Sequence, residues 1–195
     1  MSLDMLEIYG RASEWANEKV AGAANDLDAR TPCDAWDVRT LLDHMLDTQR
    51  YFVANARGED APLPAPVPPH VLSDDPVNDF KRSRTEMLAA FGEPGTIEKT
   101  GPSLGVASSD QLLHGWDLAQ ATGQDITMPA GLAEAAYQTV HGLFTDDQRK
   151  GVFKPAIAVA DDVSSQEQLL AYTGRQPSGW RRRAPPRRDD RATPE

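Results

Sequence analysis

Apolar residues recur at intervals of three or four positions along most of the chain, the spacing that places side chains on one face of a helix. In residues 3–25 this pattern predicts a first amphipathic helix. The pattern begins again at Val38, where Asp37 is a suitable N-cap, and stops near Gly58. Four further helices are predicted, over residues 76–92, 107–122, 130–144 and 166–172.

The segments between these helices lack a helical period. Residues 58–76 contain six prolines, which fix φ and lack an N–H, so this segment is predicted to be an extended connection. Residues 96–106 form a polar, glycine-containing passage. Val152–Val159 is the only strand-like run, and Pro155 within it favours an edge or simply extended chain. The pattern therefore predicts an all-α bundle with one long connection between its second and third helices.

The chain has 195 residues, a length that suits one domain with a small appendage. We expect a helical bundle over residues 1–146 and a short C-terminal extension, packed on that bundle, over residues 147–177. Residues 178–195 are rich in arginine and proline and have almost nothing apolar to bury, so a disordered basic tail is expected. An alternative is that this tail binds an anion.

Charge and cysteine content narrow the classes of function. The net charge is −10, and seven arginines lie from Arg175 onward, so the preceding body is strongly acidic. An acidic body repels nucleic acid and acidic membrane surfaces, and we expect neither as a partner. With no apparent signal peptide or membrane-spanning run, we expect a cytoplasmic protein. Cys33 is the only cysteine, so a metal would bind mainly through His, Asp and Glu.

The candidate chemistry lies in the predicted helix over 107–122. Asp110 and His114 are one turn apart on the same helical face. A second histidine, His44, lies in the helix that begins at Val38, at the margin of its apolar face. Two histidines and one carboxylate form a common ligand set for an open metal site. The alternative is an ordinary hydrogen bond or capping pair between Asp110 and His114.

Other reactive residue types carry weaker hypotheses. Asp117 is three residues after His114, so it can hold the imidazole N–H as an outer partner of a metal site, or it can pair with an arginine. Cys33 is a candidate nucleophile, but only the nearby helix start is placed to lower the pKa of its thiol. His70 and His141 have no obvious partners and are interpreted as surface or core histidines. Asp43 and Asp47 are expected to be solvated.

Four stretches of the sequence resemble a known family. The run Thr31–His44 resembles the second-helix signature of the mycothiol-dependent maleylpyruvate isomerase N-terminal domain, part of the wider DinB-like metalloprotein group. The run His114–Gln124 resembles the fourth-helix signature of that group in actinobacterial members. Val152–Pro155 and Leu169–Arg175 resemble segments of its short members. The resemblance extends over nearly all of residues 3–177.

The resemblance implies a DinB-like four-helix bundle that holds a divalent metal, most often zinc or nickel. The implied ligands are His44, Asp110 and His114. The isomerase has glutamate at the acid position, one methylene longer than Asp110. It also has a substantial C-terminal domain that helps form its active site, whereas this chain has only a short extension.

Three functional hypotheses follow. The first is a thiol-dependent transferase or isomerase in which a small thiol, mycothiol as the family suggests, reacts with a small electrophile. The second is a metal-binding or stress-response module without turnover. The third is a plain helical bundle whose acidic face binds a partner protein. Relatives in the family often form dimers, which adds a homodimer to the expectations.

Overall fold

The computed structural model describes residues 4–33, 35–141, 143–144, 147, 149 and 152–178. Within these residues the regular structure is helical. The helices are α1 (Met5–Ala23), α2 (Val38–Arg57), α3 (Pro76–Gly92), α4 (Thr96–Thr100), α5 (Ser103–Thr122), α6 (Leu132–Val140) and α7 (Ser165–Tyr172). The all-α prediction is therefore confirmed.

The four long helices form the bundle. Helix α1 packs against α3 and α5, and α2 packs against the same two helices. Helices α1 and α2 therefore lie diagonally opposite each other in the four-helix bundle. This arrangement is consistent with the predicted DinB-like bundle. Helix α6 packs on α5, and α7 packs on α6. In the part of the chain that the structure describes, none of the helices combines the length and apolarity needed to cross a bilayer.

The boundaries of α2 and α3 follow from their caps. Asp37 accepts a hydrogen bond from the backbone N–H of Thr40, and Gly58 ends α2 with a φ of 73°. Asp75 caps α3 in the same way, and Pro76 occupies the first turn, where its missing N–H removes no helical hydrogen bond. The predicted bounds of both helices are confirmed.

Two other boundaries were predicted wrongly. Residues 96–106 were expected to be non-helical, but α4 and the first turn of α5 lie there. Leu104 and Ala107 are buried and extend the apolar face of α5 toward its start. The fifth predicted helix was expected to reach Phe144, but α6 ends at Val140 because His141 is extended (φ −69°, ψ 117°).

The core runs along the inner faces of the bundle and continues beneath the C-terminal helices. Leu112 and Trp116 of α5 pack in one cluster with Leu132 of α6 and Leu169 of α7. The strand-like run forms no strand: Val152 is helical and residues 154–160 have no regular secondary structure. The N–H of Ile157 donates to the carbonyl of Ala171. The predicted division between a bundle and an extension at residues 146 and 147 stays a prediction, and the predicted basic tail lies, from residue 179 onward, outside the described residues.

Candidate metal centre

Helices α2 and α5 bring three predicted site residues together. His44 projects from α2, and Asp110 and His114 project from successive turns of α5. The Nε2 atom of His114 lies 3.5 Å from Oδ1 of Asp110, and Nε2 of His44 lies 3.7 Å from the same oxygen. The two imidazole rings meet edge to face, with their centroids 5.0 Å apart. The inward orientation of His44, which the pattern left open, is therefore established.

The spacing within this cluster suits a shared cation better than direct hydrogen bonds. The donor–acceptor distance of an N–H···O bond is about 2.7–3.2 Å, shorter than either nitrogen–oxygen separation. Ligand bonds of about 2.0–2.2 Å in a tetrahedral site place neighbouring ligand atoms about 3.3–3.6 Å apart. The observed 3.5 Å separation lies within this range, and the 3.7 Å separation lies just above it. All three ligand atoms lie within 4.8 Å of one another.

Unpartnered polar atoms give a second test of the fit. Oδ2 of Asp110 and Nδ1 of His44 are buried, and neither has a hydrogen-bond partner among the described residues. A buried polar atom without a partner is unfavourable, so Oδ2 of Asp110 indicates a group that completes the site. Nδ1 of His44 lies on the other side of the ring from the Nε2 that faces the cluster, so a cation in the cluster would not satisfy it. Burial raises the pKa of Asp110, but the charges of His114 and His44 outweigh this and lower it below its ordinary value. A charged carboxylate is the form that binds a cation.

The second nitrogen of His114 is held by Asp117. Nδ1 of His114 lies 3.0 Å from Oδ2 of Asp117. Arg175, which follows α7, donates to both oxygens of the same carboxylate, from Nε at 3.0 Å and from Nη2 at 2.6 Å. Burial raises the pKa of Asp117, but Arg175 outweighs it and holds the pKa well below its usual range. The two alternative partners of Asp117, an imidazole and an arginine, are thus both present.

Arg175 is the site residue that the sequence interpretation missed. It lies 58 residues after Asp117, and a contact over that separation depends on how α7 packs. The run Leu169–Arg175 was noted in the sequence only as a familiar segment, without a role. The sequence analysis gave pairing with an arginine as one alternative for Asp117, but the pattern did not identify which arginine.

Cys33 contacts the same oxygen of Asp117 that faces His114. Its thiol donates to Oδ2 of Asp117 at 3.3 Å. Burial, and then the charge of Asp117, raise the pKa of Cys33 well above its usual range, so the thiol keeps its proton. Cys33, His114 and Asp117 also have ligand atoms within 4.8 Å of one another. The guanidinium of Arg175 on Asp117 makes this second group unfavourable for a cation.

One face of the cluster is covered by Trp36. Its ring centroid is 4.7 Å from that of His44 and 6.4 Å from that of His114. The side chains of His44, Asp110 and His114 keep 16, 15 and 12% of their surface exposed. The cluster is therefore shielded on one side and keeps a small solvent-exposed surface.

The remaining acidic and histidine residues lie outside the cluster. Asp43 was expected to be solvated, and this is wrong: its buried Oδ1 accepts hydrogen bonds from the N–H groups of Val71 and Leu72. The carboxylate is buried because the proline-rich connection crosses α2 at this point and its backbone donors need an acceptor. His70 is exposed, with Nδ1 3.2 Å from Asp43. His141 is exposed and makes ring contacts with Tyr137 and Tyr172.

The sequence matches one family model and two known relatives. The sequence model described as "Mycothiol maleylpyruvate isomerase N-terminal domain" matches residues 11–119, a range that contains the whole cluster and Asp117 but not Arg175. Two uncharacterized proteins of Mycobacterium tuberculosis, from strains CDC 1551 and H37Rv, are each 26% identical over 186 residues. The matches cover 89% of this chain and 98% of each relative. No solved structure matches the chain.

Proposed function

Because the chain belongs to the mycothiol maleylpyruvate isomerase N-terminal domain family, we propose that it binds a divalent metal and uses it in thiol chemistry. The proposed ligands are His44, Asp110 and His114, and the metal is zinc or nickel. The proposed reaction is a transfer or isomerisation in which a small thiol of the mycothiol type acts on a small electrophile. The family membership supports the thiol, and the cluster geometry supports the metal.

The observation that carries the proposal is the convergence of three ligand atoms from two helices. Two imidazole nitrogens face one carboxylate oxygen at 3.5 and 3.7 Å, while the other oxygen of that carboxylate is buried without a partner in the described part of the chain. A structural zinc site usually has four protein ligands, whereas three ligands leave one position for a small molecule. When bound, the cation would stabilise the thiolate form of a coordinated thiol as the nucleophile.

The protein's own side chains support this chemistry in separate ways. Asp117 holds His114 through Nδ1, which leaves Nε2 directed at the cluster. Trp36 shields His44 on one side. Cys33 is unsuited to be the nucleophile because burial and Asp117 keep its thiol protonated. The reactive sulfur is therefore assigned to a separate small molecule.

Metal analysis tests the first half of the proposal. The purified protein is loaded with zinc or nickel and then desalted. It should retain about one equivalent of metal, measured by elemental mass spectrometry. His44→Ala and His114→Ala should each lose most of it. His70→Ala is the matched control, since its ring is 90% exposed and lies outside the cluster. A wild type that retains no more metal than the two variants would contradict the metal site.

A thiol-transfer assay tests the second half. The metal-loaded protein should accelerate the reaction of mycothiol with a chloronitrobenzene. His114→Ala should lose more than the roughly 10–100-fold that removal of an outer hydrogen-bond partner costs. His70→Ala should keep the wild-type rate. A protein that retains metal but accelerates no thiol reaction over a broad set of electrophiles would contradict the enzyme and favour the non-catalytic module.

A further inference from the structure

A chain of buried polar contacts links the end of α7 to the cluster. Arg175 binds both oxygens of Asp117, whose side chain is fully buried, and Oδ2 of Asp117 faces Nδ1 of His114. The thiol of Cys33 donates to the same Oδ2. A guanidinium has five N–H donors and no acceptor, so it fixes both carboxylate oxygens as acceptors.

The donor inventory then determines which nitrogen of His114 carries the proton. A bare Nδ1 at 3.0 Å from Oδ2 would place two lone pairs against each other. Nδ1 must therefore donate to Asp117. In a neutral imidazole with a protonated Nδ1, Nε2 is bare, and this is the atom that lies 3.5 Å from Asp110. The polar chain thus leaves a lone pair directed into the cluster.

We propose that Arg175 is a positioning residue of the metal centre: acting through Asp117, it fixes His114 as the tautomer whose Nε2 can bind the cation. This inference rests on the proposed metal function. Arg175 lies outside residues 11–119, the range matched by the family model. The C-terminal segment therefore contributes to the centre without supplying a ligand.

The segment that carries Arg175 is held firmly enough for this role. The N–H of Arg175 donates to the carbonyl of Leu170. Gly174, with a φ of 76°, packs against Lys154 and Pro155, and a Cβ there would lie 2.8 Å from the carbonyl oxygen of Pro155. Lys154 donates from Nζ to the carbonyl of Pro32, next to Cys33. The two C-terminal stretches are thus joined to each other and to the loop beside the site.

The test begins with the nitrogen spectrum of metal-free protein. Uniformly ¹⁵N-labelled protein at about pH 8, where an ordinary imidazole is neutral, gives side-chain correlations that distinguish the tautomers. The signals of His114 are assigned by their loss in His114→Gln. We expect a protonated Nδ1 and a bare Nε2 in the wild type, and a mixture of tautomers in Arg175→Gln. A purely structural role for Arg175 would leave the tautomer unchanged.

Zinc affinity provides the second readout. Arg175→Gln should weaken zinc binding by roughly 10–100-fold, as expected for loss of an outer hydrogen-bond partner. Arg175→Lys keeps the charge but not the paired donors, so its zinc affinity should lie between those of the wild type and Arg175→Gln. Arg149→Gln is the matched control: Arg149 stacks on Tyr172 in the same region and donates to its carbonyl. This variant should keep the wild-type affinity and tautomer.

Three results would overturn the proposal: a wild-type His114 with its proton on Nε2, an Arg175→Gln variant with unchanged tautomer and affinity, or equal weakening by Arg149→Gln. The wild-type spectrum does not depend on Arg175→Gln, so a proton on Nε2 of His114 would overturn the proposal even if that variant does not fold. A wild type that shows the expected tautomer but binds no zinc would defeat the proposed metal function and leave the action of Arg175 on His114 intact.

Discussion

Gly115 of α5 lies directly against the indole of Trp15 on α1. A Cβ built on Gly115 would be 2.6 Å from Cζ3 and 3.0 Å from Cε3 of that ring. Such distances are far below van der Waals contact, so only glycine allows the two helices to approach so closely. The contact lies one residue after His114 and fixes the position of α5 along the axis of α1.

Gly115→Ala should therefore destabilise the protein. Overpacking of a tight core usually costs about 1–3 kcal/mol, and urea unfolding should show a loss of this size. Gly10→Ala in α1 is the matched control, because the nearest atoms would lie 3.9 and 4.0 Å from its Cβ. That change should instead stabilise α1, since alanine in a helix interior is favoured over glycine by about 0.5–1 kcal/mol. Losses of similar size in both variants would contradict the close approach.

Asp43→Ala should loosen the proline-rich connection. The change leaves the N–H groups of Val71 and Leu72 without the carboxylate that accepts them at 2.8 and 2.7 Å. An unsatisfied donor costs up to about 1–3 kcal/mol when it is buried, and these two are partly buried, so the free energy of unfolding should fall by roughly 1–3 kcal/mol in total. Hydrogen exchange at both amides should accelerate. Asp47→Ala, at a partly exposed position one turn later, should have little effect; an equal effect there would contradict the assigned role of Asp43.

Asp79 should make the stability of the protein depend on pH in the acidic range. Burial raises the pKa of Asp79, but hydrogen bonds from Ser73 and the charge of Arg82 outweigh it and lower the pKa. A folded pKa below the unfolded value, about 3.9, stabilises the fold above that value. The contribution is lost as the pH falls through the folded pKa.

Asp79→Asn should therefore be less stable than the wild type at neutral pH, and the difference should shrink as the pH falls below about 4. Urea unfolding of both proteins between about pH 7 and pH 3 measures it. The exposed neighbour Asp74, changed to Asn, serves as the control. A difference that stays constant over the whole range, or grows toward low pH, would contradict the assignment.

Cys33 should react slowly with thiol reagents in the folded protein. The thiolate is the reactive form, and the pKa of Cys33 is raised by burial and by Asp117. Alkylation by iodoacetamide at about pH 8 should be more than tenfold slower than in urea-unfolded protein. Because Cys33 is the only cysteine, Cys33→Ser should abolish labelling. Equal rates in the folded and unfolded protein would show an accessible, unperturbed thiol.

Local signals in the sequence were sufficient for part of the fold. Asp37, Gly58 and Pro76 act through their own backbone neighbourhoods, so α2 and α3 could be bounded from the sequence. Helix α4 could not, because its five residues are too few to show a helical period and lie between Gly95 and Gly101. Its position depends on packing against the longer helices.

In the candidate site, too, local contacts could be predicted from the sequence and long-range contacts could not. The pairing of Asp110 with His114 follows from a spacing of four residues within one helix. The direction of His44 depends on how α2 packs against α5. The burial of Asp43 depends on the path of the connection over residues 58–76. The contact of Arg175 depends on the docking of α7. These long-range contacts leave no periodic signal in the sequence.

The pairing of Arg175 with Asp117 has a practical consequence for shortened versions of the protein. A fragment that stops at the end of α5 would keep His44, Asp110 and His114 but would remove the guanidinium from a carboxylate buried in the bundle. Taking one partner from a buried ion pair typically costs about 3–5 kcal/mol. If the proposed metal site is correct, such a fragment would hold every candidate ligand and still bind the metal poorly, because Arg175 lies more than fifty positions beyond the matched family domain.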